Sequence, residues 1–234
     1  MTFATRQLKK AARIILIGAP GVGKGTQSER LLSRFPDLAS ISSGDLLREN
    51  VRKKTPLGLE AEATIQAGNL VPDSMIINLI SSEFTSRGWL SKTPKPTISP
   101  SASFILDGFP RTASQATILD SLVPINFVVH LVTPPSIILS RIASRWVHEP
   151  SGRVYNTDFN APKVAGKDDV TGEPLTQRED DSVDTWKQRL HKFEETSKAL
   201  IQHYQRKGCL WRVEGNSSDE ITPKLFAEFE RKFC

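Results

Sequence analysis

The run Gly18-Ala19-Pro20-Gly21-Val22-Gly23-Lys24-Gly25-Thr26 constrains this chain more than any other feature. It carries the phosphate-loop spacing from Gly18 through Gly23 to Lys24, with Gly25 where a serine or threonine commonly follows the lysine. Before it stands Arg13-Ile14-Ile15-Leu16-Ile17, apolar without alternation, as a central parallel strand buried on both faces requires. After it, Thr26, Leu31, Leu32 and Phe35 recur at helical spacing until Pro36 closes the pattern. In such a strand, loop and helix the glycines let successive N–H groups converge on phosphate oxygens, and the helix N-terminus adds a positive dipole. Gly21, Val22, Gly23, Lys24, Gly25 and Thr26 are therefore candidates to hold a triphosphate. Lys24 would bring a mobile point charge to the transferring group and Thr26 a hydroxyl near magnesium.

The rest of the chain extends this unit. Phe104-Ile105-Leu106 ending in Asp107 reads as a second buried strand, Phe127 to Val132 before Pro134-Pro135 as a third, and Val213 after Trp211 ends a fourth. Helical patterns lie around Asp45 to Val51, Ser74 to Phe84, Pro135 to Ala143 and Thr185 to Tyr204. That alternation predicts an α/β fold: a parallel sheet with helices on both faces. Two stretches break it. From about Ser42 to Val71 the chain is helical and polar, interrupted by Pro56, Gly58 and Gly68. From about Ser144 to Asp181 it holds Gly152, Gly166 and Gly172 with short β-like pieces such as Arg153-Val154-Tyr155, as a small hairpin-rich module does. The expected division is a core of 1–41, 72–143 and 182–234 with insertions at 42–71 and 144–181. The proline- and serine-rich Lys92 to Ser103 reads as a surface loop.

Two further groups bear on chemistry. Asp107-Gly108-Phe109-Pro110-Arg111 follows a buried strand, which puts Asp107 at the carboxyl edge of the sheet, where it can hold magnesium through water while Arg111 reaches an acceptor phosphate. Arg141, Arg145, Arg153, Arg178 and Arg189 fall in or beside the second insertion. Planar guanidinium forks match phosphate oxygens better than an ammonium does. A net charge of +5 suits nucleic acid, an anionic membrane surface or polyanionic small substrates alike. Aromatic interleaving is too sparse for a single-strand binding face, and no apolar run approaches the ~18 residues of a membrane span. Cys209 and Cys234 cannot build a disulfide framework or a four-cysteine zinc site. With no large apolar face evident, a monomer is expected.

From Arg13 to the C-terminal helix the chain resembles the adenylate kinase family. The resemblance is carried by GAPGVGKGTQ at 18–27, SSGDLLR at 42–48, AGNLVPD at 67–73, LDGFPRTASQA at 106–116 and the stretch Arg145 to Tyr155. It implies a phosphate-loop NTPase-type core with a helical NMP-binding insertion and a small β-rich lid. It also implies phosphoryl transfer from a magnesium-bound triphosphate to AMP. By the same resemblance Ser43, Arg48, Gly108, Arg111 and Gln115 surround AMP, with Asn69, Leu70 and Val71 near its adenine. Arg141, Arg145, Val154, Tyr155, Arg178 and Arg189 lie at the phosphates or donor base, Arg178 and Arg189 serving AMP as well, and Ser217 offers the donor base a backbone contact. The catalytic set is then Lys24, Arg111, Arg145, Arg178 and Arg189.

Some relatives hold the lid with zinc on four cysteines, but His148, Ser151, Asp168 and Thr171 stand at those positions here. The hydroxyls are poor zinc ligands, so a hydrogen-bonded lid without structural metal is expected. Trp146-Val147-His148 resembles mitochondrial matrix members that use GTP as donor, which favours GTP over ITP or ATP. The N-terminal Arg6, Lys9, Lys10 and Arg13, with no acidic residue before Glu29, suit an import segment as well as a short basic arm on a cytosolic enzyme. Competing readings are a cytosolic ATP:AMP enzyme, UMP or CMP as acceptor, and a GTP-binding switch with no acceptor.

Overall fold

The computed structural model describes residues 4–93, 96–157, 160–177 and 182–234. Five strands form one sheet: β1 (Arg13–Ile17), β2 (Ala39–Ser42), β3 (Phe104–Asp107), β4 (Phe127–Val132) and β7 (Leu210–Glu214), in the order β2-β3-β1-β4-β7 and all parallel. After β1 the chain moves to one side for β2 and β3, then to the other for β4, so the crevice at the end of β1 is a topological switch point.

Alternate residues of each strand enter separate cores. Ile15, Ile17, Ile41, Leu106 and Val128 pack with helices α4 (Asp73–Ser86), α5 (Ala113–Leu122) and the C-terminal half of α7 (Val183–Arg206). Ile14, Leu16, Ile105, Phe127 and Val129 pack on the opposite face with α1 (Lys24–Arg34), α6 (Pro135–Ala143) and α8 (Ser218–Phe233). The 24-residue α7, about 36 Å long, joins both: Leu200 and Tyr204 belong to the first core, Trp186 and Leu190 to the second. Its N-terminal half thereby passes the carboxyl edge of the sheet.

The first interrupted stretch forms α2 (Ser43–Arg52) and α3 (Pro56–Gln66). Pro56 marks the break between the two helices, whereas Gly58 does not interrupt α3. Pro56 opens α3 behind the Thr55 cap, where no N–H is needed, and Gly58 is the contact between the helices, since a Cβ there would lie 2.1 Å from the Asn50 carbonyl oxygen. The second stretch builds its own antiparallel pair, β5 (Arg145–His148) and β6 (Arg153–Asn156). Two elements were not anticipated. Strand β2 is short, with Ile41 its one apolar residue of strand type, and α5 begins at an inconspicuous Thr112 cap inside the motif already assigned to binding. The basic segment before β1 is docked: Arg6 N–H donates to Arg34 O at 2.9 Å, Lys9 N–H to Phe233 O at 2.8 Å, and Arg34 Nη1 to Ala4 O at 2.8 Å.

Gly58→Ala is expected to pry α2 from α3. Backbone hydrogen exchange should quicken across residues 43–66 and stay unchanged in β1 and β4; uniform exchange with the wild type would show that the close approach is not needed.

Candidate active site

The in-register ends of β1, β2 and β3, with Leu16 and Ser42 both opposite Asp107, open three loops at one edge. Gly18 leaves β1 under the Leu131 carbonyl, where a Cβ would lie 2.8 Å from that oxygen. Gly21 and Gly23 take φ of 87° and 101°, a region open mainly to glycine. Gly23 caps α1, whose first turn has no acidic residue, so its free N–H groups face the loop uncontested. Val22 is buried, and its N–H donates to Ala19 O at 3.1 Å.

Lys24 folds back over the loop and donates from Nζ to Gly18 O at 2.8 Å and Ala19 O at 3.1 Å. Its pKa is lowered to about 8, first by burial and then by the Arg111, Arg189 and Arg145 guanidiniums, against the opposing pull of Asp107. Residues from four elements and loops thus share one electrostatic neighbourhood. Thr26 and Asp107 line the same cleft, of about 970 Å³. The Thr26 hydroxyl and the Asp107 carboxylate, with cations beside them, fit a magnesium ion that arrives with phosphate oxygens rather than a protein-made cage. Among the described residues no group of three or more His, Cys, Asp or Glu side chains is arranged to hold a metal.

The cleft also takes in Gly25, Arg141, Arg145, Val154, Tyr155, Arg189 and Ser217. Arg141 donates to Val22 O at 3.2 Å and Asn216 O at 2.7 Å; Ser217 Oγ caps α8 by accepting from Glu220 N–H at 3.1 Å. Tyr155 offers the cleft little of its hydroxyl, which donates to Asp168 at 2.9 Å. Arg178 lies outside the described residues.

A second cavity, about 40 Å³, adjoins the first and shares Arg48, Leu70, Gly108, Arg111 and Arg189 with it. Ser43, Asn69, Val71 and Gln115 complete its wall with Leu47 and Ile76. Ser43 is 1% exposed, yet its Oγ has no hydrogen-bond partner, a cost that a polar ligand would relieve. Gly108, at φ 79°, leaves room for it, because a Cβ would lie 2.7 Å from that oxygen. Gln115 is clasped inside: its Oε1 accepts from Arg111 N–H and its Nε2 donates to Asp73, both at 2.7 Å. Asp73 was not singled out from the sequence, where an acidic residue beginning a helix is unremarked.

In the hairpin module, His148, Ser151, Asp168 and Thr171 do form one hydrogen-bonded cluster. His148 meets Ser151 Oγ at 2.7 Å and Glu173 at 2.6 Å. Asp168 accepts from Arg153 at 2.8 and 2.6 Å, from Tyr155, and from the Thr171 N–H and hydroxyl. Arg153 above all, then Thr171 and Tyr155, hold its carboxyl far below the usual range. Arg153 and Glu173 were missed as members, since nothing in their spacing marks them.

Two pH effects follow. Phosphate oxygens beside Lys24 would raise its pKa again, so binding a magnesium-triphosphate just above pH 8 should take up a fraction of a proton, and at pH 6 none. Calorimetry in buffers of different ionisation enthalpy reads this, and Lys24→Met should abolish the uptake; uptake that persists in the variant would assign it elsewhere. Asp168 contributes stability that is complete above the ordinary carboxylate pKa near ~4 and is lost as pH falls toward its depressed folded value. The module should therefore resist proteolysis from pH 8 to 5 and lose resistance in stronger acid, whereas Asp168→Asn should be cut readily throughout; a resistant variant would mean the cluster is dispensable.

The adenylate kinase family model matches residues 16–209. A Saccharomyces cerevisiae protein named "GTP:AMP phosphotransferase, mitochondrial" is 47% identical over 231 residues, covering 97% of this chain and 95% of the relative. Another of that name, from Saccharomyces cerevisiae strain S288c, is 48% identical over 219 residues, covering 92% and 94%. A third, from Drosophila melanogaster, is 43% identical over 216 residues with the same coverage. A match from the end of β1 through α7, across the phosphate loop and both interrupted stretches, means that this chain belongs to the adenylate kinase family.

Proposed function

We propose that this chain transfers the γ-phosphoryl group of a magnesium-bound nucleoside triphosphate, GTP in preference to ITP or ATP, to AMP. The observation that carries the reading is that Lys24, Arg111, Arg145 and Arg189 share one electrostatic neighbourhood in the cleft, Arg111 and Arg189 lining the smaller cavity as well. Four cations around one carboxylate is an arrangement unfavourable by itself and suited to a group whose charge spreads over several oxygens in flight. The triphosphate lies in the loop from Gly21 to Thr26, with Arg141, Val154, Tyr155 and Ser217 toward its base. AMP lies against Ser43, Arg48, Gly108 and Gln115, its adenine over Asn69, Leu70 and Val71. Thr26 and Asp107 would hold the magnesium ion that comes with the triphosphate, and the ion would supply charge neutralisation there.

The acceptor is already an anion at neutral pH, so no general base is required, and the barrier is lowered by alignment and electrostatics. Arg111 and Arg189 draw the acceptor phosphate toward the donor; Lys24 and Arg145 follow the charge on the moving group, and Arg178 joins them. Water is a competing acceptor and must be kept out. Residues 144–181 serve as the lid over the donor and 42–71 as the AMP-binding insertion on the core of 1–41, 72–143 and 182–234. The smaller cavity is continuous with the cleft through the residues they share, and the first insertion closes over AMP as the second closes over the donor. The relatives' printed names and Trp146, on β5 opposite Tyr155, support GTP as donor. Those names and the basic N-terminal segment support the mitochondrial matrix as location. The protein acts as a monomer on small nucleotides, not on nucleic acid.

The test is a matrix of ATP, GTP, ITP, UTP and CTP against AMP, GMP, UMP and CMP with magnesium. Rapid ADP formation from AMP, fastest with GTP, is the expected result. ATP preferred over GTP removes the donor assignment, and GTP loss independent of any monophosphate moves the chain to a binding switch.

A further inference from the structure

The two segments that flank residues 144–181 both end on the phosphate loop. On the outgoing side, α6 sets Ile142 and Ile138 against Gly21, where a Cβ would lie 2.7 and 2.8 Å from them, and Arg141 holds the Val22 carbonyl. On the returning side stands Trp186, in the first turn of α7. It is 5% exposed, packs in the cluster that contains Val22, Ile138 and Ile142, and donates from Nε1 to the Pro20 carbonyl at 3.0 Å. The other three tryptophans, Trp89, Trp146 and Trp211, are partly exposed.

A phosphate loop binds anions when its N–H groups point inward, which turns its carbonyls outward, and those carbonyls need donors of their own. Pro20 and Val22 receive theirs from the two flanking helices. Trp186 is absent from the lining of the cleft, so it acts only through what it holds. It holds the loop at one end. One turn along the same helix is Arg189, close enough to Lys24 to shift its pKa.

We infer that Trp186 is a positioning residue: its indole N–H on the Pro20 carbonyl ties the returning helix to the phosphate loop, so that filling the loop and setting Arg189 are one event. This rests on the phosphoryl-transfer reading above. The bond stabilises the phosphate-ready loop, and phosphate in the loop in turn holds the carbonyl toward the indole. Because Arg189 also lines the smaller cavity, the tie reaches the AMP side too, but only at second hand, through that one side chain.

The experiment compares wild type with Trp186→Phe, which keeps an aromatic ring in the core and deletes the donor. With a cooperative melt retained, KM for Mg-GTP should rise about fivefold or more, the cost of one such bond, while KM for AMP, reached only through Arg189, rises by clearly less. A donor KM within about twofold of wild type, or equal rises for donor and acceptor, overturns the inference. A wild type with no AMP-dependent transfer removes the parent reading instead. The unmodified protein supplies a second measurement that no folding defect can obscure. With 15N-labelled tryptophan, one of four indole N–H signals should be protected from solvent exchange and become more so on adding Mg-GTP; exchange unaltered by Mg-GTP at all four overturns the inference as well.

Discussion

The parallel pairing of β1 between β3 and β4 is the constraint from which the site follows. Parallel strands all finish at one edge, and the register that sets Leu16 and Ser42 opposite Asp107, and Ile17 opposite His130, brings the segments after four strands to one line. Both faces of β1 are sealed, Ile14 and Leu16 in one core and Ile15 and Ile17 in the other. A strand fixed on two faces and two edges is a rigid support, and rigid support is what a charge-stabilising site requires.

On that edge cationic side chains outnumber carboxylates in the cleft. Burial and three guanidiniums depress the Lys24 pKa against the opposing pull of Asp107, so the charged lysine sits in surroundings that a further anion would favour. The hairpin module follows the opposite logic. Asp168 is buried at 3% exposure but accepts from Arg153, Tyr155 and Thr171, so its charge is answered in full within the module. One region is left electrostatically open for a ligand, and the other is closed on itself.

Much of this was legible in advance because the signals were local. The phosphate loop, the apolar strands β1, β3 and β4, and the helices α1, α2, α4, α6 and α7 follow from composition and period within a few residues. Strand β2 escaped because Ala39-Ser40-Ile41-Ser42 has too few apolar positions to show a period, and it is a strand only because β3 offers it a ladder. Gly58 misled for a related reason, while Pro56 does stand at a break, between α2 and α3. Each is a breaker in isolation, yet one opens a helix and the other admits a neighbouring helix, and which role applies depends on what packs alongside.

The sequence by itself determined that the chain has a phosphate-binding loop on a buried parallel sheet, two interruptions of that sheet and a family resemblance covering most of its length. These depend on spacings of a few residues, where backbone geometry is dictated by neighbours along the chain. Only the tertiary structure decided that burial and the neighbouring guanidiniums depress the Lys24 pKa, that Glu173 and Arg153 complete the His148 and Asp168 cluster, and that Trp186 meets Pro20. Those partners are up to 166 residues apart. Charge and hydrogen-bond energies depend on distance through space, and no pattern along the chain encodes which distant residues the folded sheet will bring within 3 Å.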